Sequence, residues 1–591
     1  MTTKRRGAAL FAVLTAGALA LTACGSDDGG TEEEPGANRT EEPADDEGTQ
    51  PGTITVAVDS EYTAYNDLTA AGNGTWNEYV HNGTKGSFWS YGEDGSVVRN
   101  EEFGTYEKTS DDPLTVEYTY ADDAVWSDGE PIDCDDFLLE WAAMSGKMVD
   151  GEGANIFDPS STNGYALVEK PECAHGDKTI TVVYTEPYID WELIFEGGEV
   201  PAHIVAQENG LTSEELVTAI AEDDIATLQP AAEFWNTFWQ FNPGELPPPE
   251  MIPSSGPYIH DSWVAGQSLT VKANPEWWGT PPKTETIVLR LLDSDQQVAA
   301  LQNGEVDLIN PSNPTPDVAA QLNQLAEGGP YTVESGGNLT WSHIDLQQGE
   351  GRVFEPLEVR QAFAKCVPRQ LIVDNLVKPA NPDAVVQDLR EFFPVDEDYE
   401  DARAQAFPED MYGELDIEGA QQLLQQAGVE TPVKVTLMHA DDPVRNELAA
   451  LVKSECDKAG FEVTDFTPPD WGERLTGQPG SYDATMFGWA GSGNIASGQS
   501  LYVSTGDQNP YGYANEEVDK LWDEVVTSAD REAARVKLAE IEALLWEDVF
   551  NIPLYTNANI YAYSSEIEGV VVNAAQTGAT FNMDEWSRTS G

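Results

Sequence analysis

Residues 274–310 read NPEWWGTPPKTETIVLRLLDSDQQVAALQNGEVDLIN, which parses as a turn, a strand, a helix and a second strand. Pro281 and Pro282 close the turn. The apolar run 286–292, rich in β-branched residues and leucine, predicts a strand buried on both faces. Ser294 stands where its hydroxyl caps a helix, Gln297 follows three residues on as a capping box requires, and Gly304 offers the left-handed position that stops the helix. Residues 305–310 are the next strand.

Working outward, the turn Asn274-Pro275-x-x-Trp278-Gly279-x-x-Pro282, followed by Asn303-Gly304-Glu305-Val306-Asp307, resembles the signature of the peptide/nickel class (family 5) of bacterial extracellular solute-binding proteins of ABC importers. Four further stretches match along the chain: Trp126-Ser127-Asp128-Gly129-x-Pro131, Gly256-Pro257-Tyr258, Val359-Arg360-x-Ala362 and Ile552-Pro553-Leu554-Tyr555. The resemblance implies an α/β, two-lobe, periplasmic-binding-protein-like fold of the large class II type, with an inserted subdomain in the first lobe. The expected divisions are 53–88, 253–310 and 555–591 for lobe I, 89–252 for the insertion and 311–554 for lobe II. Within lobe II, 433–438, 443–459 and 461–466 read as a βαβ unit, capped by Asp442 and stopped by Gly460, in a mostly parallel sheet.

The amino-terminal end carries an address of its own. Lys4, Arg5 and Arg6 precede an apolar run, 8–20, too short to span a bilayer, and Leu21-Thr22-Ala23-Cys24 matches a bacterial lipobox. Residues 1–24 are thus a lipoprotein signal peptide, and the resemblance implies acylation of Cys24. Residues 25–52, acidic and nearly without apolar side chains, read as a disordered tether reaching tens of Å, at about 5 to 6 Å times the square root of its length. Of five cysteines, four remain once the lipid has taken one. In an oxidising compartment their order suggests Cys134 with Cys173 and Cys366 with Cys456.

With 30 basic against 105 acidic residues the chain has a formal charge of -75, which excludes nucleic acid as a partner and fits a solvated acidic surface on a secreted protein. Nucleophile elbows, His-Glu-x-x-His and phosphate loops are missing from the sequence, and the six histidines show no metal-ligand spacing. No enzyme activity, cofactor or metal is therefore expected. The reading is a monomeric, lipid-anchored receptor on the extracellular face of the membrane that takes a peptide or similar small solute to ABC permease subunits. A non-transporting lipoprotein of the same fold that regulates cell-envelope assembly is the alternative, and a secreted hydrolase the third.

Candidate ligand contacts are Tyr62, in the loop after the first strand, and Asn338, Trp341 and His343, where relatives have a cleft-lining strand. Trp489, Ser492 and Asn494 complete the set. Many peptide-binding relatives read Trp-x-x-Asp-Tyr at Trp489, the aspartate pairing with the peptide's ammonium. Here Ser492 holds that place. A buried ammonium needs an opposite charge, so binding of a free amino terminus requires another acid such as Asp59 or Glu61. Otherwise the pocket relies on Trp341, Trp489 and neutral donors and acceptors.

Overall fold

The opening stretch folds as the strand Thr284–Leu291, the helix Ser294–Gln302 and the short strand Leu308–Ile309. The computed structural model describes residues 49–589 apart from 313, 490, 492, 507, 576 and 577, so Cys24, residues 25–48 and Ser492 lie outside the described residues. Gln50–Val58 runs between the two strands and parallel to both. Two details differ from expectation. Thr284–Leu291 is not buried on both faces: Ile287 and Leu289 enter the core while Glu285 is exposed and Arg290 half-buried, because water reaches the outer side of this strand. Ser294 is already helical, Asp293 is the cap residue without a side-chain capping bond, and the Gln297 amide instead donates to the Leu292 carbonyl at 3.2 Å. Gly304 does take the left-handed conformation, at φ 69°.

These strands belong to a seven-stranded sheet that also contains Ser268–Ala273, Tyr258–Val264, Asn559–Ser564 and Tyr331–Gly336. One face packs Ile54, Val56, Leu308, Tyr561 and Trp586, and the other packs Ala57, Val298, Leu301 and Ile309. A second sheet, of five strands, holds Phe461–Phe466, Val433–Met438, Ala484–Trp489, Trp341–Leu346 and Asn551–Thr556 in that order. Its first three strands are parallel, the βαβ unit being formed with Asp442 accepting from the Arg445 amide at 2.9 Å. Its other two pairings are antiparallel. The sheet is therefore mixed, since Trp341–Leu346 and Asn551–Thr556 are the strands by which the chain enters and leaves it.

The second lobe begins later than residue 311. The helix Pro316–Glu327 packs Val318, Leu322 and Leu325 onto the first sheet, and Tyr331–Gly336 pairs antiparallel with Asn559–Ser564 inside it. The chain crosses at 337–340 and returns at 557–558. The region 379–412, irregular and long in sequence as a surface or binding loop would be, is threaded into the second lobe: Gln387, Asp388, Leu389, Arg390 and Phe392 are all buried.

The insertion carries a three-stranded antiparallel sheet, Gly104–Asp111, Leu114–Tyr120 and Thr179–Val183, covered by the helix Cys134–Met144. Asp133 caps that helix in a capping box with Asp136. Cys134 is bonded to Cys173 and Cys366 to Cys456, the second bridge tying the helices Leu357–Cys366 and Pro443–Ala459 together. With 90 residues between its partners, the Cys366–Cys456 bridge stabilises by up to about 4.6 kcal/mol in the chain-entropy model. Urea unfolding of the Cys366→Ser/Cys456→Ser variant should show a loss of that order, with the first bridge intact.

Candidate functional site

Strand alternation builds one wall. Trp341 and Trp489 are direct partners across two antiparallel strands, and His343 is opposite Phe487, so all four side chains share a sheet face. The His343 ring lies 4.6 Å from Trp341, 4.5 Å from Phe487 and 6.1 Å from Trp489, parallel to the last. Trp341 and His343 are buried and Trp489 is half-buried. His343 Nε2 donates to Asp345 at 3.2 Å, Asp345 accepts from Asn551 at 3.0 Å, and Asn551 accepts from Arg390 at 2.7 Å. Arg390 is fully buried against Glu542, at 2.9 Å. This network holds the imidazole from behind and leaves its Nδ1 without a hydrogen-bond partner.

The other expected contacts are spent elsewhere. Tyr62 is 3% exposed, its ring among Phe241, His260 and Trp263 and its hydroxyl 3.2 Å from His81, so it is a core residue of the first lobe. The notch beside it, about 20 Å³, is too small for a solute. Asn338 accepts from the Thr340 amide at 2.7 Å and shapes the crossing. Asn494 accepts from the Ser497 amide at 3.1 Å, at the start of a short helix. Of the two substitute acids, Asp59 accepts from Ser312, and Glu61 accepts from Trp263 Nε1 at 3.1 Å and the Gly266 amide at 3.0 Å.

Around Ser492 the flanking glycines are required by space. A Cβ on Gly491 would fall 2.1 Å from the Leu339 carbonyl oxygen, and one on Gly493 would fall 2.3 Å from the Gly95 carbonyl oxygen and 3.6 Å from the Tyr91 ring. Gly491 is thus pressed against the crossing, and Gly493 against the hairpin of Trp89–Tyr91 and Val97–Arg99. Nearby, Asp190 of the insertion reaches the second lobe. Its fully buried carboxylate accepts from the Ala496 amide at 2.6 Å and from Arg531 at 2.9 Å, while the Ile189 amide donates to the Val526 carbonyl at 2.9 Å. Arg531 also donates to the Gly493 carbonyl at 3.1 Å.

A cavity of about 540 Å³ opens on the other side of that hairpin. The helix Thr75–Thr84 contributes Glu78 and His81, the hairpin Trp89 and Tyr91, and the loop 196–199 Glu196 and Glu199. Lys85 bonds Asp67 at 2.7 Å and Glu199 more closely still; His81 Nδ1 meets Asp67 at 2.6 Å. Burial alone would raise Asp67, but His81 and Lys85 hold it well below the usual carboxylate range. Glu78 has no such partner: burial, Asp67 and Glu199 push it up to about 8. Glu196 is driven well up by burial and by Glu199, with which it shares a hydrogen bond.

Comparison with known proteins gives this arrangement its context. Residues 100–511 match the model of the bacterial extracellular solute-binding proteins, family 5. The chain belongs to that family. An uncharacterized lipoprotein of Mycobacterium tuberculosis is 28% identical over 564 residues, 90% of this chain and 93% of the relative. The oligopeptide-binding protein OppA of the same organism is 24% identical over 494 residues, 80% of this chain and 75% of the relative. Among solved structures, the periplasmic EDTA-binding protein EppA superposes with a TM-score of 0.80 at 24% identity, covering 92% of this chain and 97% of its own. Family 5 proteins serve ABC importers as solute-binding components. Among the described residues of this member, no three His, Cys, Asp or Glu side chains gather as metal ligands.

Two expected outcomes follow from this geometry. Asp190→Ala removes both charge-assisted bonds across the lobes, and should raise the open population at least tenfold, about 1.4 kcal/mol, as read by energy transfer between dyes on the two lobes. Glu78 supplies a pH dependence of stability. Its folded pKa, about 8, lies above its ordinary 4.5, so the folded state holds a proton that the unfolded state releases and stability falls as pH rises through that window. Glu78→Gln should match the parent near pH 4 and exceed its melting temperature increasingly up to pH 9.

Proposed function

We propose that this chain is a lipid-anchored receptor on the outer face of the cell membrane that closes two lobes on a peptide or similar small solute and delivers it to an ABC permease. The carrying observation is the pair of adjacent crossings, at 337–340 and 557–558, which leaves each lobe a sheet of its own and permits hinge closure. Trp489, half-buried at the end of this sheet face, supports capture of an apolar or planar part of a solute, with the buried Trp341, Phe487 and His343 packed behind it. The relative named for oligopeptide binding supports the solute class, and the relatives named lipoproteins support the anchor at Cys24.

The membrane and solute halves of this reading are tested together. Full-length protein expressed in an actinobacterial host should fractionate with membranes, whereas Cys24→Ser should appear in the medium still folded, because the tether separates lipid from body. Mass spectrometry of the released protein, denatured after purification, should identify a bound solute. Its loss from Trp489→Ala, with an unchanged melting temperature, would assign the wall. A Cys24→Ser protein that stays on membranes, or a wild-type protein that carries and binds no solute from a peptide library, would overturn the corresponding half.

A further inference from the structure

We propose that the 540 Å³ cavity of the first lobe is a subsite for an organic cation, an ammonium or guanidinium group carried by the captured solute. This rests on the receptor reading and names the chemistry of the solute. A group of acids on a chain of this charge would by itself be a solvated surface. What marks this one is the concave space, in the 300 to 1,000 Å³ range of ligand pockets, and the aromatic side chains in its lining: Trp89, Tyr91, Trp277 and Phe581. Aromatic faces attract cations and repel anions.

The charge balance of the wall is incomplete. Asp67, Glu78, Glu196 and Glu199 converge on one ammonium, Lys85, and one imidazole, His81. Lys85 and His81 are already paired with Asp67 and Glu199, and among the described residues neither Glu78 nor Glu196 has an ion pair within 4.0 Å. Further out, Arg99 is taken by Glu192 at 2.6 Å, and Glu102 and Asp584 add two more acids. Glu78, pushed up to about 8, and Glu196, driven well up beside Glu199, hold protons near neutral pH; a cationic guest placed between them would favour release of those protons and pair with the carboxylates so formed. An anionic guest would meet six acids.

The position fits the missing aspartate. Tyr91 lines the cavity, and a Cβ on Gly493 would lie 3.6 Å from the same ring, so this side chain is shared by the cavity and the surroundings of Gly493. The counter-charge that the second lobe lacks is presented from the first, by helix Thr75–Thr84 and loop 196–199.

The test uses calorimetry at physiological salt on the folded chain with three probes: acetyl-Ala-Lys-Ala-amide, acetyl-Ala-Met-Ala-amide and spermidine. The lysine peptide should bind at least tenfold tighter than the methionine peptide, and Glu78→Gln/Glu196→Gln should abolish that difference while leaving the methionine peptide unaffected. Glu540→Gln/Glu547→Gln removes the same charge from exposed positions of a distant helix and should change neither. Equal affinity for the two peptides overturns the cation subsite and leaves the peptide receptor standing. Equal losses in both double variants reduce the effect to long-range attraction and also overturn it. Spermidine binding that depends on Glu78 and Glu196, without binding of either peptide, keeps the subsite and overturns the peptide reading. Failure of all three probes overturns the proposal.

Discussion

Both lobes depend on how the two crossings are held to each other. The Asn557 amide donates to the Thr340 carbonyl at 2.8 Å, and the Asn557 side chain accepts from Ser342 at 2.9 Å. Asn559 donates to the Gly337 carbonyl at 3.0 Å and to the Asn573 carbonyl at 2.6 Å, and Asn310 reaches Asn559 at 3.3 Å. All but the Asn559–Asn573 bond join segments more than two hundred residues apart, and they satisfy backbone groups that would otherwise lose their ladder partners where the strands leave one sheet for the next. The two crossings are thus bonded to each other as a pair.

Buried acids are handled in two ways. In the second lobe Glu542 is paired with Arg390, and Asp388 with Arg369 at 2.5 Å, so that burial is offset by charge-assisted bonds, while Glu391, without an ion pair among the described residues, is pushed up to about 8 by burial and by Glu542. The cost of breaking such a pair keeps the wall behind His343 stiff. In the first lobe, the carboxylates around Lys85 outnumber their partners, and Glu78 answers by rising to about 8.

The sequence made some of this legible and hid the rest for identifiable reasons. The unit 433–466 was readable because Asp442, Pro443 and Gly460 punctuate it locally, and both disulfides because cysteine order left few alternatives. The family was readable from short turn motifs that need no tertiary information. The hinge was misplaced because Pro316–Glu327 and Tyr331–Gly336 carry no mark of which sheet they join; that is decided by pairing with Asn559–Ser564, far along the chain. Tyr62 was read as a loop residue and is packed in a core, a matter of partners and not of local pattern. Asp190 with Arg531, 341 residues apart, and Glu78 beside Glu196 gave no local signal. The glycines at 491 and 493 did, since two glycines flanking the altered position suggest close backbone approach.

The remaining question is why a chain of charge -75 would need a specific cation subsite when its whole surface attracts cations. The two act on different steps. The surface field is screened within about 8 Å at physiological salt, so it raises encounter rates for every cation alike and distinguishes none of them. Discrimination requires groups at fixed separation, beside surfaces that reward one shape of guest. Glu78 and Glu196 meet that description because they line one cavity and are held by a helix and by the loop that carries Glu199, itself bound to Lys85. Attraction by the surface then governs how often a solute arrives, and the cavity governs which arrivals stay long enough for Asp190 to engage Arg531 and Ala496 and hold the lobes together.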